Sequence, residues 1–272
     1  ESKADKIGIV DKKFETLPVS EAMFDPENSD IIFYSLSGRI YSLDIESGLV
    51  SRFSSEEILA FAVSEDSIFY LSENAEAAAG ERETADSKYP EFYAYQASKN
   101  GKQKIKLNSE PLNLGLENKT AAEFLISPNG KIALRNSRTL YYFNPKTEIF
   151  SEITENAKNA AFSPDEKKLL YSDENDIGVY YLEEILIQPY RKTGDLSELA
   201  RLAGKIGSAL WRADGEHIIF WGGGIVKIAE LDDRGGINII DFWPAENPLI
   251  FYDGNASELY FLDKQALFKT EI

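Results

Sequence analysis

"FSPDEKKLLYSDENDIGVYYLEE", residues 162–184, sets a Ser-Pro-Asp turn between an aromatic residue and two short runs of Leu, Tyr, Ile and Val. Pro fixes φ at the first corner, and Asp, Asn or Gly takes the tight position after it. The same grammar recurs along the chain. It anchors on Phe24 in "FDPEN", Val63 in "VSEDS", Ile126 in "ISPNG", Phe162 itself, Trp211 in "WRADG" and Tyr252 in "YDGNA". Spacings between anchors are 39, 63, 36, 49 and 41 residues.

After each anchor comes a β-rich run ("DIIFYS", "SIFYLS", "KIALR", "KLLYS", "HIIFW", "ELYFL"), then a second ("RIYSLDI", "EFYAYQ", "TLYYFN", "GVYYLE", "VKIAEL", "ALFKTEI"). A third, more polar run closes most units, as in "LVSRFS" and "SELARLA". With the anchor segment, that makes four strands per unit. One four-stranded sheet cannot bury both faces, so the units must stack, and each anchor side chain is expected to face its neighbour. Four short strands at a period near 40 residues are the signature of propeller blades.

The termini predict how the ring closes. The last unit ends at Ile272 after three strands, while "KIGIVDKKFETLP", residues 6–18, is a spare β-like segment ahead of the first anchor. If that segment supplies the missing outer strand, the interval from Tyr252 round to Phe24 is 44 residues, in line with the others. The expected fold is therefore all-β: one domain over residues 1–272, a six-bladed β-propeller of four-stranded antiparallel blades, closed by an N-terminal strand. The units also resemble the WD40-like repeats of TolB-type β-propellers, with "WRADGEHIIFWGGGIVKIAELDDRGG", residues 211–236, the nearest match. The resemblance covers nearly the whole chain and implies the fold; such propellers host unrelated activities, so it implies no reaction. The Gly-His and Trp-Asp pairs of true WD40 blades are absent.

Composition narrows the function. Of 272 residues, 43% are hydrophobic and 28% charged, and the 16 Phe, 14 Tyr and 3 Trp are strand formers. A net charge of −17 repels phosphate backbones. The densest basic groups, "KQKIK" at 102–106 and "RK" at 191–192, are too small to overcome that field, so no nucleic-acid partner is expected. The absence of cysteine excludes disulfides, thiolate zinc sites and cysteine nucleophiles. No stretch reaches the roughly 18 apolar residues of a membrane span. The chain opens on Glu1 rather than Met, so an upstream signal peptide or anchor, and an extracytoplasmic location, are expected.

Few residues suggest chemistry. His217 is the one histidine, so neither a His-based metal site nor a Ser-His-Asp triad can be assembled. "DPENSD" at 25–30 and "DENDIG" at 173–178 cluster oxygen ligands without the spacing of a Ca²⁺ loop; Asx residues in such turns mostly bond their own backbone. "WGGG" at 221–224 lacks the Lys and the following helix of a phosphate loop and reads as a hairpin. The sequons at Asn118 and Asn255 are short enough to arise by chance. Neither a cofactor nor a metal is expected.

Two connections exceed what the repeat needs, and long loops are where scaffolds carry function. One is "ENAEAAAGERETADSKYP" in blade 2, with Glu73, Glu76, Glu81, Glu83 and Asp86 against Arg82 and Lys88, an expected docking place for a basic partner. The other is "EILIQPYRKTGDL", 184–196, in blade 4, with Tyr190, Arg191 and Lys192. The expectation is a monomeric, non-catalytic scaffold for a protein or peptide partner. The alternative is an enzyme with a metal-dependent or lyase-like site in the axial tunnel.

Overall fold

The computed structural model describes residues 19–73, 90–114 and 122–272, and these form strands, turns and no helix. The segment expected to close the ring, residues 6–18, lies outside the described residues, as does most of the blade 2 insertion. Six up-and-down antiparallel sheets follow one another along the chain. They are the blades of a six-bladed β-propeller.

The first blade is β1 (Val19–Phe24), β2 (Ile31–Leu36), β3 (Arg39–Asp44) and β4 (Val50–Arg52). The second is β5 (Ile58–Val63), β6 (Ser67–Glu73), β7 (Glu91–Ser98), β8 (Lys104–Lys106) and β9 (Leu112–Asn113). The third is β10 (Glu123–Ile126), β11 (Ile132–Arg135), β12 (Leu140–Asn144) and β13 (Ile149–Thr154). The fourth is β14 (Asn159–Phe162), β15 (Lys168–Ser172), β16 (Asp176–Tyr181) and β17 (Leu196–Arg201). The fifth is β18 (Ile206–Trp211), β19 (His217–Gly222), β20 (Ile225–Glu230) and β21 (Ile239–Pro244), and the sixth is β22 (Leu249–Asp253), β23 (Glu258–Asp263) and β24 (Ala266–Glu271).

Two blades depart from four strands. The sixth has three among the described residues, as its sequence predicts. The second has five, because β7 is long and its partner β8 is short. β8 pairs only Tyr95–Ala97, and β9 then takes up Glu91 and Phe92 at the other end of β7.

The chain divides into two compact units, Glu1–Phe124 with Asn144–Phe150, and Leu125–Phe143 with Ser151–Ile272. In the first, Phe33 and Ile40 of blade 1 meet Ile58, Phe61 and Ile68 of blade 2 in one buried cluster. Asp25, 8% exposed, takes the Lys99 ammonium of blade 2 at 2.6 Å. In the second, Ala133 and Leu140 pack on Leu169 and Leu182; Leu170 and Val179 pack on Ile206 and Phe220; Ile219 and Val226 pack on Leu259 and Phe261. Each cluster joins one sheet to the next, which is how sheets with two apolar faces leave water.

The anchors differ in how they use this arrangement. Trp211 is 8% exposed, and its indole N–H donates to the Ala161 carbonyl of the preceding blade at 2.9 Å. Phe162 and Tyr252 are partly buried against clusters shared with a neighbouring sheet. Phe24 departs from the expectation: it is 61% exposed. Alternation along the strand is the reason, since Met23 packs into the core and its successor must point away. In blade 3 likewise, Leu125 and not Ile126 joins the cluster.

The turns after the anchors show how their residues act. In "SPNG" and "RADG" the fourth position is glycine at φ of 80° (Gly130) and 66° (Gly215). In "SPDE" that position is Glu166 at φ 56°, where a side chain is strained. The strain is offset by the contacts of its carboxylate, which is almost wholly buried. Ser127 Oγ donates to it at 2.8 Å, and the Asn129 backbone N–H and Nδ2 at 3.0 and 3.1 Å. Lys131 of blade 3 also reaches the Glu166 carbonyl at 2.7 Å. One blade further on, Lys168, 2% exposed, spans to Glu216 at 2.9 Å. Turn residues that look local in sequence are thus clasps between blades.

One half-buried acid gives a pH prediction. Glu21, on β1, is pushed up to about 7 by burial; the Phe61 N–H donating to it opposes this, and Glu123 adds to it. The folded state then holds this proton between its unfolded value of 4.5 and about 7, so stability falls as pH rises through that window. The Glu21→Gln variant should show a flatter dependence of melting temperature on pH from about 5 to about 8, and a higher value at the upper end. Parallel curves for wild type and variant would contradict the assignment.

Candidate functional site

The blade 4 connection is built from β16 outward. Residues 182–195 leave Tyr181 and return at Leu196, and the ladder continues past the strands: the Tyr181 N–H donates to Asp195 O, and the Gly194 N–H to Tyr181 O. Gly194 sits at φ 92°, a conformation that favours glycine. A second pair of bonds, Ile185 N to Arg191 O at 2.8 Å and Arg191 N to Ile185 O at 3.2 Å, pinches off a tip of five residues, Leu186 to Tyr190. The tip includes a cis Gln188–Pro189 bond.

The base of this hairpin is braced by side chains. Arg191 donates to Asp233 Oδ2 at 2.7 Å, lies 5.5 Å from the Tyr181 ring centre and donates to the Tyr190 carbonyl at 3.1 Å. Its side chain is only 15% exposed. Ile185 packs against the cluster shared by blades 4 and 5. Above this base the tip is apolar and open to solvent: Leu186 is 73% exposed, Ile187 80% and Tyr190 64%.

The residues singled out in the sequence therefore have different places. Tyr190 is on the tip, Lys192 is exposed beside it, and Arg191 is folded into the base, where it orders the loop. Glu73 ends β6, partly buried, while Glu76, Glu81, Glu83 and Asp86 lie outside the described residues. Leu186 and Ile187 were not singled out. The signal for them is local: "LIQPY" is a run of large apolar residues inside a turn-forming segment, where a repeat has no core to bury them.

A cleft of about 180 Å³ lies at the other end of β16 and β17. Its walls include Thr154, Tyr171, Asp173, Asp176, Glu198 and Arg201. Tyr171 lies flat over Gly178, where an added Cβ would come within 2.3 Å of the ring. Burial raises the Tyr171 phenol above its usual pKa, and Glu198, Asp176 and Asp173 raise it further. Arg201 spans Asp176 at 2.6 Å and Glu198 at 3.2 Å, so its charges are largely spent on one another. His217 pairs with Asp214 at 2.9 Å in its own turn. "DENDIG" is also a turn: Asp173 accepts the N–H groups of Asn175 and Asp176 at 2.7 Å each. Gly223 and Gly224, at φ 64° and 82°, make the tight hairpin of "WGGG". Among the described residues, no three His, Asp or Glu side chains are grouped so as to hold a metal ion.

No protein-family model matches the sequence, and no curated protein does. Solved structures match in fold. Hsv2 from Kluyveromyces lactis, with its loop 6CD replaced by a Gly-Ser linker, aligns over 93% of this chain and 77% of its own at 14% identity and a TM-score of 0.55. The extracellular domain of BT4673 from Bacteroides thetaiotaomicron aligns over 93% of this chain and 32% of its own at 10% identity and a TM-score of 0.52. TolB from Acinetobacter baumannii aligns over 85% and 55% at 15% identity and a TM-score of 0.41. Among the described residues no helix is long and apolar enough to cross a membrane.

Proposed function

We propose that this chain is a non-catalytic, protein-binding propeller scaffold, and that the blade 4 hairpin is its contact. The observation carrying the reading is the braced tip with Leu186, Ile187 and Tyr190 held 64–80% open to solvent. Large apolar side chains grouped on an ordered projection lose free energy in water and regain it when a partner covers them. Bracing by Arg191 cuts the ordering cost of binding, because the loop is shaped before the partner arrives. The proposal includes an extracytoplasmic location, in keeping with a fold shared with an extracellular domain.

The test is a double variant, Ile187→Asp with Tyr190→Ser. Both positions are exposed, so stability should stay within about 1 kcal/mol of wild type. Proteins recovered with the wild-type chain from its source cells should be lost with the variant. Recovery of the same proteins by both chains would remove the hairpin from the binding surface.

A further inference from the structure

The cleft at the far end of β16 and β17 is a product of the blade's own register. Tyr171, Gly178 and Glu198 lie opposite one another on β15, β16 and β17, so they share one face of blade 4. Asp176 and Arg201, also paired, lie beside them on that face. Glu198 and Arg201 are three residues apart, and on a regular strand they would face opposite sides. A bulge brings them together: Ile177 pairs with Ala200 and Gly178 with Glu198, which leaves Leu199 out of the ladder. Glycine at 178 is the second requirement, because any side chain there would collide with the Tyr171 phenol. The opposite wall is the link between blades 3 and 4, with Thr154 and Asn156.

We propose that this cleft binds an uncharged sugar, free or as the end unit of a glycan, independently of the hairpin. Its polar groups alternate donors with acceptors. The Tyr171 hydroxyl and the Asn156 amide are not engaged by the other described residues. Arg201 holds the Asp176 and Glu198 carboxylates in place. Each sugar hydroxyl both donates and accepts, so it can bridge a carboxylate and a donor such as Arg201 or Asn156. The Tyr171 ring supplies an apolar wall for the C–H face of a sugar ring. Burial and the nearby carboxylates hold the phenol above its usual pKa, so it keeps its proton to donate. The volume, about 180 Å³, suits one ring. Charge selects against ionic ligands. An anion would lie against Asp173, Asp176 and Glu198. A cation would find Asp176 and Glu198 taken by Arg201, at 2.6 and 3.2 Å, and Asp173 accepting two N–H groups of its own turn. Glu155, the remaining carboxylate of the lining, is exposed to water, where one ion pair contributes little.

The full chain is titrated by saturation-transfer NMR with glucose, galactose, mannose and N-acetylglucosamine, and applied to an array of immobilised neutral glycans. Spermidine and inorganic phosphate serve as charged probes. Expected is saturable binding of at least one sugar, in solution or on the array. Tyr171→Phe and Asn156→Gly should each weaken it about threefold to tenfold, as the loss of one hydrogen bond does. Phenylalanine breaks no bond within the fold, and glycine is at ease at the Asn156 φ of 77°, so melting temperatures should match wild type. Ile187→Asp, on the hairpin, should leave sugar binding unchanged. A free sugar that competes the array signal identifies a soluble ligand, and array binding without such competition identifies a glycan end. Absence of binding in both formats overturns the proposal, as does sugar binding that neither cleft variant weakens. Binding of spermidine or phosphate that Tyr171→Phe weakens, in place of sugar binding, also overturns it. None of these failures bears on the hairpin.

Discussion

Trp211→Ala should lose about 3–5 kcal/mol of stability, enough to bring a domain of ordinary stability close to unfolding. Three losses combine. The indole leaves a cavity among Leu170, Val179, Tyr181 and Phe220, all nearly inaccessible to water. The Ala161 carbonyl of the preceding blade loses its donor. The Lys168 ammonium, 5.9 Å from the ring centre, loses its aromatic neighbour. Trp243 is a control, being 44% exposed and lying about 6 Å from the rings of Phe261 and Phe268. Its replacement by Ala should cost clearly less. Chemical denaturation of the two variants measures the difference, and equal losses would refute the role of the blade 4–blade 5 contact.

Glu166→Ala should cost about 3 kcal/mol, although the substitution removes only a carboxylate from a turn. The Ser127 hydroxyl would be left without its acceptor in a site closed to water, and both Asn129 donors, nearer the surface, would lose a charged one. Glu166→Gly tests the second half of the argument. Glycine loses the same bonds but is at ease at φ 56°, so it should be more stable than the Ala variant by about 1 kcal/mol. If Gly is no better than Ala, the backbone is not strained there. If neither differs from wild type, the clasp does not contribute.

The blades were legible in the sequence because two signals coincide: short runs of strand-forming residues, and the turn that ends each anchor strand. "KLLYS" and "HIIFW" read as short strand-forming runs, and β15 and β19 follow them within a residue, buried on both faces. The contents of the turns were less legible. Nothing in "SPDEKK" tells Glu166 and Lys168 from solvent-facing charges, since their partners are in other repeats, 37 and 48 residues away. Phe24 failed for the opposite reason. Its turn fits the repeat, but which side of β1 it occupies depends on packing by Met23. The hairpin was visible as an excess of length and an apolar run. That Arg191 braces it while Leu186 and Ile187 face water required the fold of blade 5, which supplies Asp233.

The forward reach of Lys131 and Lys168 sets a limit on modularity. Blade 3 or blade 4 cut out at its sequence boundaries is not a free-standing part, because the cation at the head of its second strand, Lys131 or Lys168, has its acceptor in the next repeat. Ending the chain after blade 4 would strand Lys168, with only Asp165 at 3.3 Å as a partner. Exchanging blades 4 and 5 would set Ser127 and Asn129 against a turn where glycine stands in place of Glu166 and its carboxylate. The repeats look interchangeable in their apolar pattern, yet the polar residues between them encode an order. Recombination of blades would therefore succeed only for neighbouring pairs moved together.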